Sequence, residues 1–313
     1  MSRVAYVNGV YQPHGQAVIH VEDRGFQFAD GVYEVWSVFD GRLADFEGHM
    51  SRLHRSLSEL KIDIPMTAGA LGVVLRETVR RNRVRNGMVY LQVTRGTAPR
   101  DHGFPTDIAP SVVVTAKSID PARNHRLAQN GAAGVTQPDI RWGRCDIKTV
   151  GLLPNVLAKQ AARERGAYEC LMYDDMGLIT EGASTNAWIV DEHGRLRTRD
   201  IQANILRGIT RAAVLELAAA HEDAAERADA AARAEAEADT FKQHALQICD
   251  RLVGLRTAQD AAALDRFHPG PGRLRGACSL DCQFDDVGCR RMQRGDGFTG
   301  RRIDDRQRCA LFV

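Results

Sequence analysis

The chain has 313 residues, enough for two domains with real cores, and its formal net charge of +2 gives no reason to invoke a nucleic-acid partner. It holds no apolar run of about 18 residues and starts with no charged-then-apolar leader, so neither a membrane partner nor export is expected. Seven cysteines form no C-x-x-C pair, and Cys278, Cys282 and Cys289 lack matched histidines, which argues against a metal site and for a reduced, cytoplasmic protein.

Residues 4–11 predict a hairpin turning at Asn8-Gly9. A strand over 31–39 turns at Asp40-Gly41, and a helix follows with Met50, Leu53, Leu57 and Leu60 as its apolar face. A second helix carries Leu71, Val74, Leu75 and Val79, and strands over 88–95 and 111–117 complete a small α+β domain, 1–117. Residues 118–123 read as a linker, because Pro121 breaks the strand pattern. In the domain expected over 124–220, Pro154 starts a helix that Gly166 ends, and strands over 168–173 and 178–180 flank the turn Asp174-Asp-Met-Gly177. No internal repeat is visible.

Two short stretches carry chemistry: Arg144-Cys-Asp-Ile-Lys148 and Thr180-Glu-Gly-Ala-Ser-Thr-Asn186. A lysine ending one strand and a carboxylate, Glu181, ending another can hold the two ends of a pyridoxal phosphate ring. The amine must lose its proton to act as nucleophile and base, and the carboxylate must face the pyridine nitrogen. For the phosphate, Gly208 precedes a helix opened by Ile209 and Thr210, whose amides and dipole suit an anion. Arg52 is a second candidate. Each has a plainer reading: Gly-Ile-Thr as a simple helix start, Arg52, off the apolar stripe of its helix, as a solvated arginine, and Lys148 as a surface lysine.

These motifs occur in a fixed order with two others, Glu22-Asp-Arg-Gly-Phe-Gln-Phe-Ala-Asp-Gly-Val-Tyr-Glu-Val35 and Thr94-Arg-Gly-Thr-Ala-Pro-Arg-Asp-His102, and with Leu157-Ala-Lys-Gln160. From about residue 6 to 220 the chain resembles the D-amino acid aminotransferases. They belong to the fold-type IV pyridoxal phosphate enzymes, together with branched-chain aminotransferases and aminodeoxychorismate lyases. The resemblance implies an α/β and α+β protein, with a small N-terminal α+β domain and a larger, β-barrel-like α/β domain that is incomplete at its C-terminus. It implies that Lys148 is the Schiff-base lysine, that Glu181 is the pyridine partner, and that Arg52 and the amides of Ile209 and Thr210 hold the phosphate. Tyr33, Arg100 and His102 match positions that bind the substrate α-carboxylate, the last two reaching in from the other subunit of a homodimer. Read alone, Tyr33 is a core aromatic and His102 a surface histidine. The implied reaction is ping-pong transamination between a D-amino acid and a 2-oxo acid. The alternatives are a branched-chain aminotransferase, a lyase, or an inactive remnant.

The remnant reading comes from residues 221–313. Over 239–313 only 12 of 75 residues are Ile, Leu or Val, against 51 of 220 before His221, and five of the seven cysteines fall after His221. Neither Trp nor Tyr occurs after Trp188, and the Thr-Ser-x-Thr type of turn that the family places at the phosphate is missing. A tail translated out of frame is expected, with a disordered or partner-binding segment as the rival.

Overall fold

Asn8 and Gly9 both adopt positive φ, 46° and 98°, so the chain reverses in two residues between strands β1 (Val4–Val7) and β2 (Val10–Pro13). Such a turn needs the left-handed region at both central positions, which Asn-Gly tolerates. In this computed structural model the described residues are 3–191, 193–227, 284–285, 288–289 and 308–312. They fall into two units: Met1–Pro121 with Asp146–Leu152, and Ala122–Cys145 with Leu153–Val313.

In the first unit the hairpin is followed by the short helix α1 (Arg24–Phe28), strand β3 (Gly31–Phe39) and strand β4 (Arg42–Leu43). Helices α2 (Phe46–Glu59) and α3 (Ala68–Arg81) and strands β5 (Gly87–Thr94) and β6 (Ser111–Ser118) complete it. The six strands form one antiparallel sheet in the order β2-β1-β6-β5-β3-β4. Alternation along β3 buries Val32, Glu34, Trp36 and Val38. Met50, Leu53 and Leu57 from α2 and Leu71, Leu75 and Val79 from α3 join Val32, Trp36 and Val38 in one core. Each buried leucine contributes about 1.5–3 kcal/mol.

Ile147 belongs to this same core, which is why the segment Asp146–Leu152 is part of the first unit although its neighbours in sequence are not. Its backbone lies along β3: Tyr33 N donates to Lys148 O at 3.0 Å, Val150 N to Gly31 O at 3.1 Å, and Thr149 bridges Val32. The expected strand ending at Lys148 is not formed. One isolated bridge replaces it, because Lys148 N turns instead to Ser56 Oγ, 3.3 Å away on α2.

Helix α4 (Pro121–Asn130) carries the chain into the second unit. Residues 118–123, expected as a linker, contain the change of unit at Pro121 and are built from the end of β6 and the first turn of α4, since proline at a helix start loses no hydrogen bond. Strand β7 (Gly134–Pro138), helix α5 (Leu153–Glu164) and strand β8 (Glu169–Tyr173) follow, with β7 and β8 parallel. Helix α5 packs Ala158 and Ala162 against Ala167, Cys170 and Met172. Strand β9 (Ile179–Gly182) pairs with β8 after a turn in which Asp174 Oδ1 accepts from Met176 N and Leu178 N at 3.0 and 2.9 Å. Strands β10 (Ala187–Val190) and β11 (Leu196–Thr198) precede helix α6 (Ile209–Arg227), whose Val214 packs on Trp188.

Beyond α6 the described residues are the two-residue strands β12 (Phe284–Asp285) and β13 (Gly288–Cys289), which pair with each other, and β14 (Arg308–Phe312), which pairs antiparallel with β10. The expectation of a tail foreign to the fold meets a difference at 308–312, where an apolar Ala-Leu-Phe run supplies a backbone partner for β10. Of that expectation, residues 228–283, 286–287, 290–307 and 313 lie outside the described residues. No described helix is long and apolar enough to cross a membrane.

Candidate active site

In the first unit Lys148 is half-buried, with Nζ 4.2 Å from the centroid of the Tyr33 ring. Tyr33 stacks on Tyr90 at 5.6 Å. Burial, then the neighbouring Tyr33, pushes the Tyr90 hydroxyl up to about 12. Among the described residues of its unit, Lys148 makes no ion pair. A ring face attracts an ammonium by only about 0.5–2 kcal/mol, so it restrains the position of the amine weakly.

Close by in sequence, Glu34 is fully buried and accepts Arg52 Nε at 2.7 Å, Arg52 Nη2 at 2.8 Å and His49 Nδ1 at 2.7 Å. Burial pushes the Glu34 carboxyl up, but the hydrogen bonds from Arg52 and His49 and the charges of Arg52 and Lys148 outweigh it, leaving a value of about 2. Arg52 is thus not the solvated arginine that the apolar stripe of α2 suggests. It is buried because β3 turns a carboxylate inward at the helix's edge.

In the second unit Glu181, on β9, is buried as well. Its Oε2 accepts Asn186 Nδ2 at 2.9 Å and Leu206 N at 3.1 Å, and its Oε1 pairs with Arg141. Arg141 also grips Asp139, with Nε 2.9 Å from Oδ1 and Nη2 2.6 Å from Oδ2, and Thr180 Oγ1 donates to Asp139 at 2.7 Å. Burial works against the charge on Asp139 and on Arg141. The mutual hydrogen bonds reverse both effects, holding Asp139 below the usual carboxylate range and Arg141 above its ordinary value.

Asn186 links this carboxylate to the start of α6. A Cβ at Gly208 would overlap Asn186 Oδ1, so only glycine lets the backbone before Ile209 and Thr210 come this close. The first amides of a helix have no partner within it. Arg211, one residue further on, is buried with its Nε unbonded among the described residues, and burial pushes its pKa down. A helix start with open amides beside an incompletely satisfied guanidinium is a place for an anion.

Arg100 and His102 are exposed and both rest on Phe28 in the first unit, at 4.5 and 5.3 Å from the ring centroid. Of the residues proposed from the sequence, Tyr33, Arg52, Arg100, His102 and Lys148 lie in the first unit and Glu181, Ile209 and Thr210 in the second. Sequence reasoning misses Glu34, His49, Asp139 and Arg141. The signal for Glu34 is the period of two in β3, which puts it on the same face as Val32 and Trp36. Asp139 and Arg141 pair with each other two residues apart, but their further partners, Thr180 and Glu181, come from β9.

Residues 31–241 match the family described as amino-transferase class IV. The chain is 40% identical over 210 residues to the D-alanine aminotransferases of Bacillus licheniformis and Staphylococcus haemolyticus, covering 67% of this chain and 73% of each relative. Its fold is similar to that of the Escherichia coli branched-chain amino acid aminotransferase, with a TM-score of 0.66 at 22% identity over 71% of this chain and 76% of that one. A hypothetical aminotransferase from Mycobacterium tuberculosis, solved in a PLP-bound form, gives a TM-score of 0.60 at 24% identity over 70% of this chain and 78% of that one. The chain belongs to the class IV aminotransferases. It is a pyridoxal-phosphate-dependent aminotransferase of fold-type IV, and each unit holds groups of a kind that suits that cofactor: in the first an amine that makes no ion pair among the unit's described residues, in the second a buried carboxylate held by donors and a helix start with open amides beside Gly208.

Proposed function

We propose that the chain exchanges the amino group of a D-amino acid, of the D-alanine or D-glutamate type, with a 2-oxo acid, in a ping-pong cycle that turns on Lys148. The observation that carries the role of Lys148 is its contrast with Lys159. Lys159 Nζ is ion-paired with the buried Glu169 at 3.0 Å, whereas among the described residues of its unit Lys148 makes no ion pair and its Nζ rests 4.2 Å from the centroid of the Tyr33 ring. The D-alanine aminotransferases at 40% identity support the hand of the substrate.

When bound, pyridoxal phosphate supplies an aldehyde that takes an amine and a ring that accepts an electron pair. Lys148 Nζ would hold the cofactor at its aldehyde and, once freed by the substrate amine, would serve as the base for the substrate α-proton. Glu181, held by Arg141, Asn186 and the Leu206 amide, would pair with the pyridine nitrogen and favour its protonated form. Arg52 and the amides of Ile209 and Thr210 would hold the phosphate. Tyr33, Arg100 and His102 take the substrate α-carboxylate, Arg100 through two parallel hydrogen bonds. The working form is a cytoplasmic homodimer in which Arg100 and His102 complete the site of the partner subunit.

Turnover by the full chain with pyridoxal phosphate tests this. D-alanine or D-glutamate, with 2-oxoglutarate or pyruvate as acceptor, should react much faster than L-valine or L-leucine, because a mirror-image donor held by the same groups points its α-hydrogen away from Lys148. A preference for L-valine with Arg100→Ala indifferent would replace this reading by the branched-chain one.

A further inference from the structure

We infer that Phe28 is a positioning residue for the substrate carboxylate, its ring being the common seat on which Arg100 and His102 are held as one clamp; this rests on the reading of Arg100 and His102 given above. The ring ends a helix fixed at both ends. Asp23 caps α1, with Oδ1 accepting Gly25 N and Oδ2 accepting Thr94 Oγ1, each at 2.9 Å. At the other end Ala29, at φ 56°, donates its amide to Gly25 O. Phe28 therefore does not follow the loop that carries Arg100 and His102; it precedes and supports it.

Three groups gather on this ring. The guanidinium carbons of Arg24 and Arg100 lie 4.9 and 4.5 Å from its centroid, and the His102 ring lies 5.3 Å away, tilted by 47°. Arg24 is buried, ion-paired to Asp30 at 2.8 Å, and its Nη1 donates to Asp101 O at 2.6 Å, the residue between the two clamp side chains. Further along the loop Phe104 lies under Arg95, 3.7 Å from the guanidinium carbon, and Arg95 is itself held by Asp30 and by the carbonyls of Leu60 and Lys61. The backbone of the loop is thus tied, and the ring of Phe28 restrains the two exposed side chains. An exposed arginine without such a seat keeps its rotamer freedom and loses it only on binding substrate, which weakens binding.

Three variants of the full chain test the role. Phe28→Leu keeps an apolar side chain and removes the ring face; Phe28→Tyr keeps the face. Phe28→Leu should raise KM for both the D-amino acid and the 2-oxo acid roughly three- to tenfold with kcat changed far less, while Phe28→Tyr stays close to the parent. Combined with Arg100→Ala, Phe28→Leu should add little, because the group it positions is gone. Thermal unfolding of each variant separates a folding loss from a positioning loss. A parent-like KM in Phe28→Leu, equal KM defects in Phe28→Leu and Phe28→Tyr, or full additivity with Arg100→Ala would overturn the role of Phe28. Arg100→Ala alone leaving KM unchanged would instead overturn the assignment of the clamp itself.

Discussion

Glu34 and Arg52 face each other through two hydrogen bonds, 2.7 Å from Nε and 2.8 Å from Nη2, with the carboxylate fully buried and the guanidinium nearly so. The residue proposed to hold the phosphate is therefore fixed in place by a group that need not touch the cofactor.

Breaking this pair should be costly. Glu34→Gln leaves Arg52 buried without its counter-charge, and about 3–5 kcal/mol of stability should be lost at neutral pH, read by urea unfolding. The pH dependence has a definite sign. The folded-state value of Glu34 is depressed from 4.5 to about 2, so its contribution is present in full above about pH 4.5 and is lost as the pH falls toward 2. The acid limb of the parent's stability curve should flatten in Glu34→Gln.

Gly208→Ala should lower both stability and cofactor retention. The added methyl meets Asn186 Oδ1, and Asn186 holds Glu181, so relief of the overlap moves either the carboxylate or the start of α6. A loss of about 1–3 kcal/mol is expected in thermal unfolding, with less bound pyridoxal phosphate after dialysis. Parent-like stability and cofactor content would show that the close approach at Gly208 is unimportant.

Much of the first unit is legible in the sequence, because local chemistry decides it. Asn8-Gly9 and Asp40-Gly41 take the positive φ values their turns need, and β3 follows its period of two over Gly31–Phe39. The proposed site rests on motifs, as at Lys148 and Glu181, whose local sequence alone singles them out. What is not legible depends on partners distant in sequence. Arg52 lies off the apolar stripe of α2 and reads as solvated, yet its burial is decided by Glu34 on another element. Lys148 looks like the end of a strand, but only contacts with β3 and Ser56 determine that the segment forms a single bridge.

Arg141 separates two buried carboxylates, Asp139 and Glu181, and its removal should reverse a pH trend. In Arg141→Met the like charges face each other without their cation, which raises the pKa of one of them. In the parent, Asp139 has a depressed pKa, so its contribution is lost as the pH falls through the acid range. The variant should instead gain stability as the pH falls below neutral, and Asp139→Asn in the same chain should restore part of the loss. Unchanged slopes in pH-dependent unfolding would remove this role from Arg141.

The composition of residues 221–313 leads to a prediction of its own. If that segment is foreign to the fold, replacing it with the corresponding part of a class IV aminotransferase should raise soluble yield and bound cofactor together. The replacement would also have to supply a partner for β10, which β14 now provides. Equal yield and cofactor content in both chains would show that the present segment serves the fold.

The most direct test of the chemistry is to load the full chain with pyridoxal phosphate, reduce it with borohydride and map the modified peptide. The pyridoxyl group should be found on Lys148, and Lys148→Ala should carry none while abolishing transamination. A label on Lys159 or Lys117 in the parent chain would contradict the assignment.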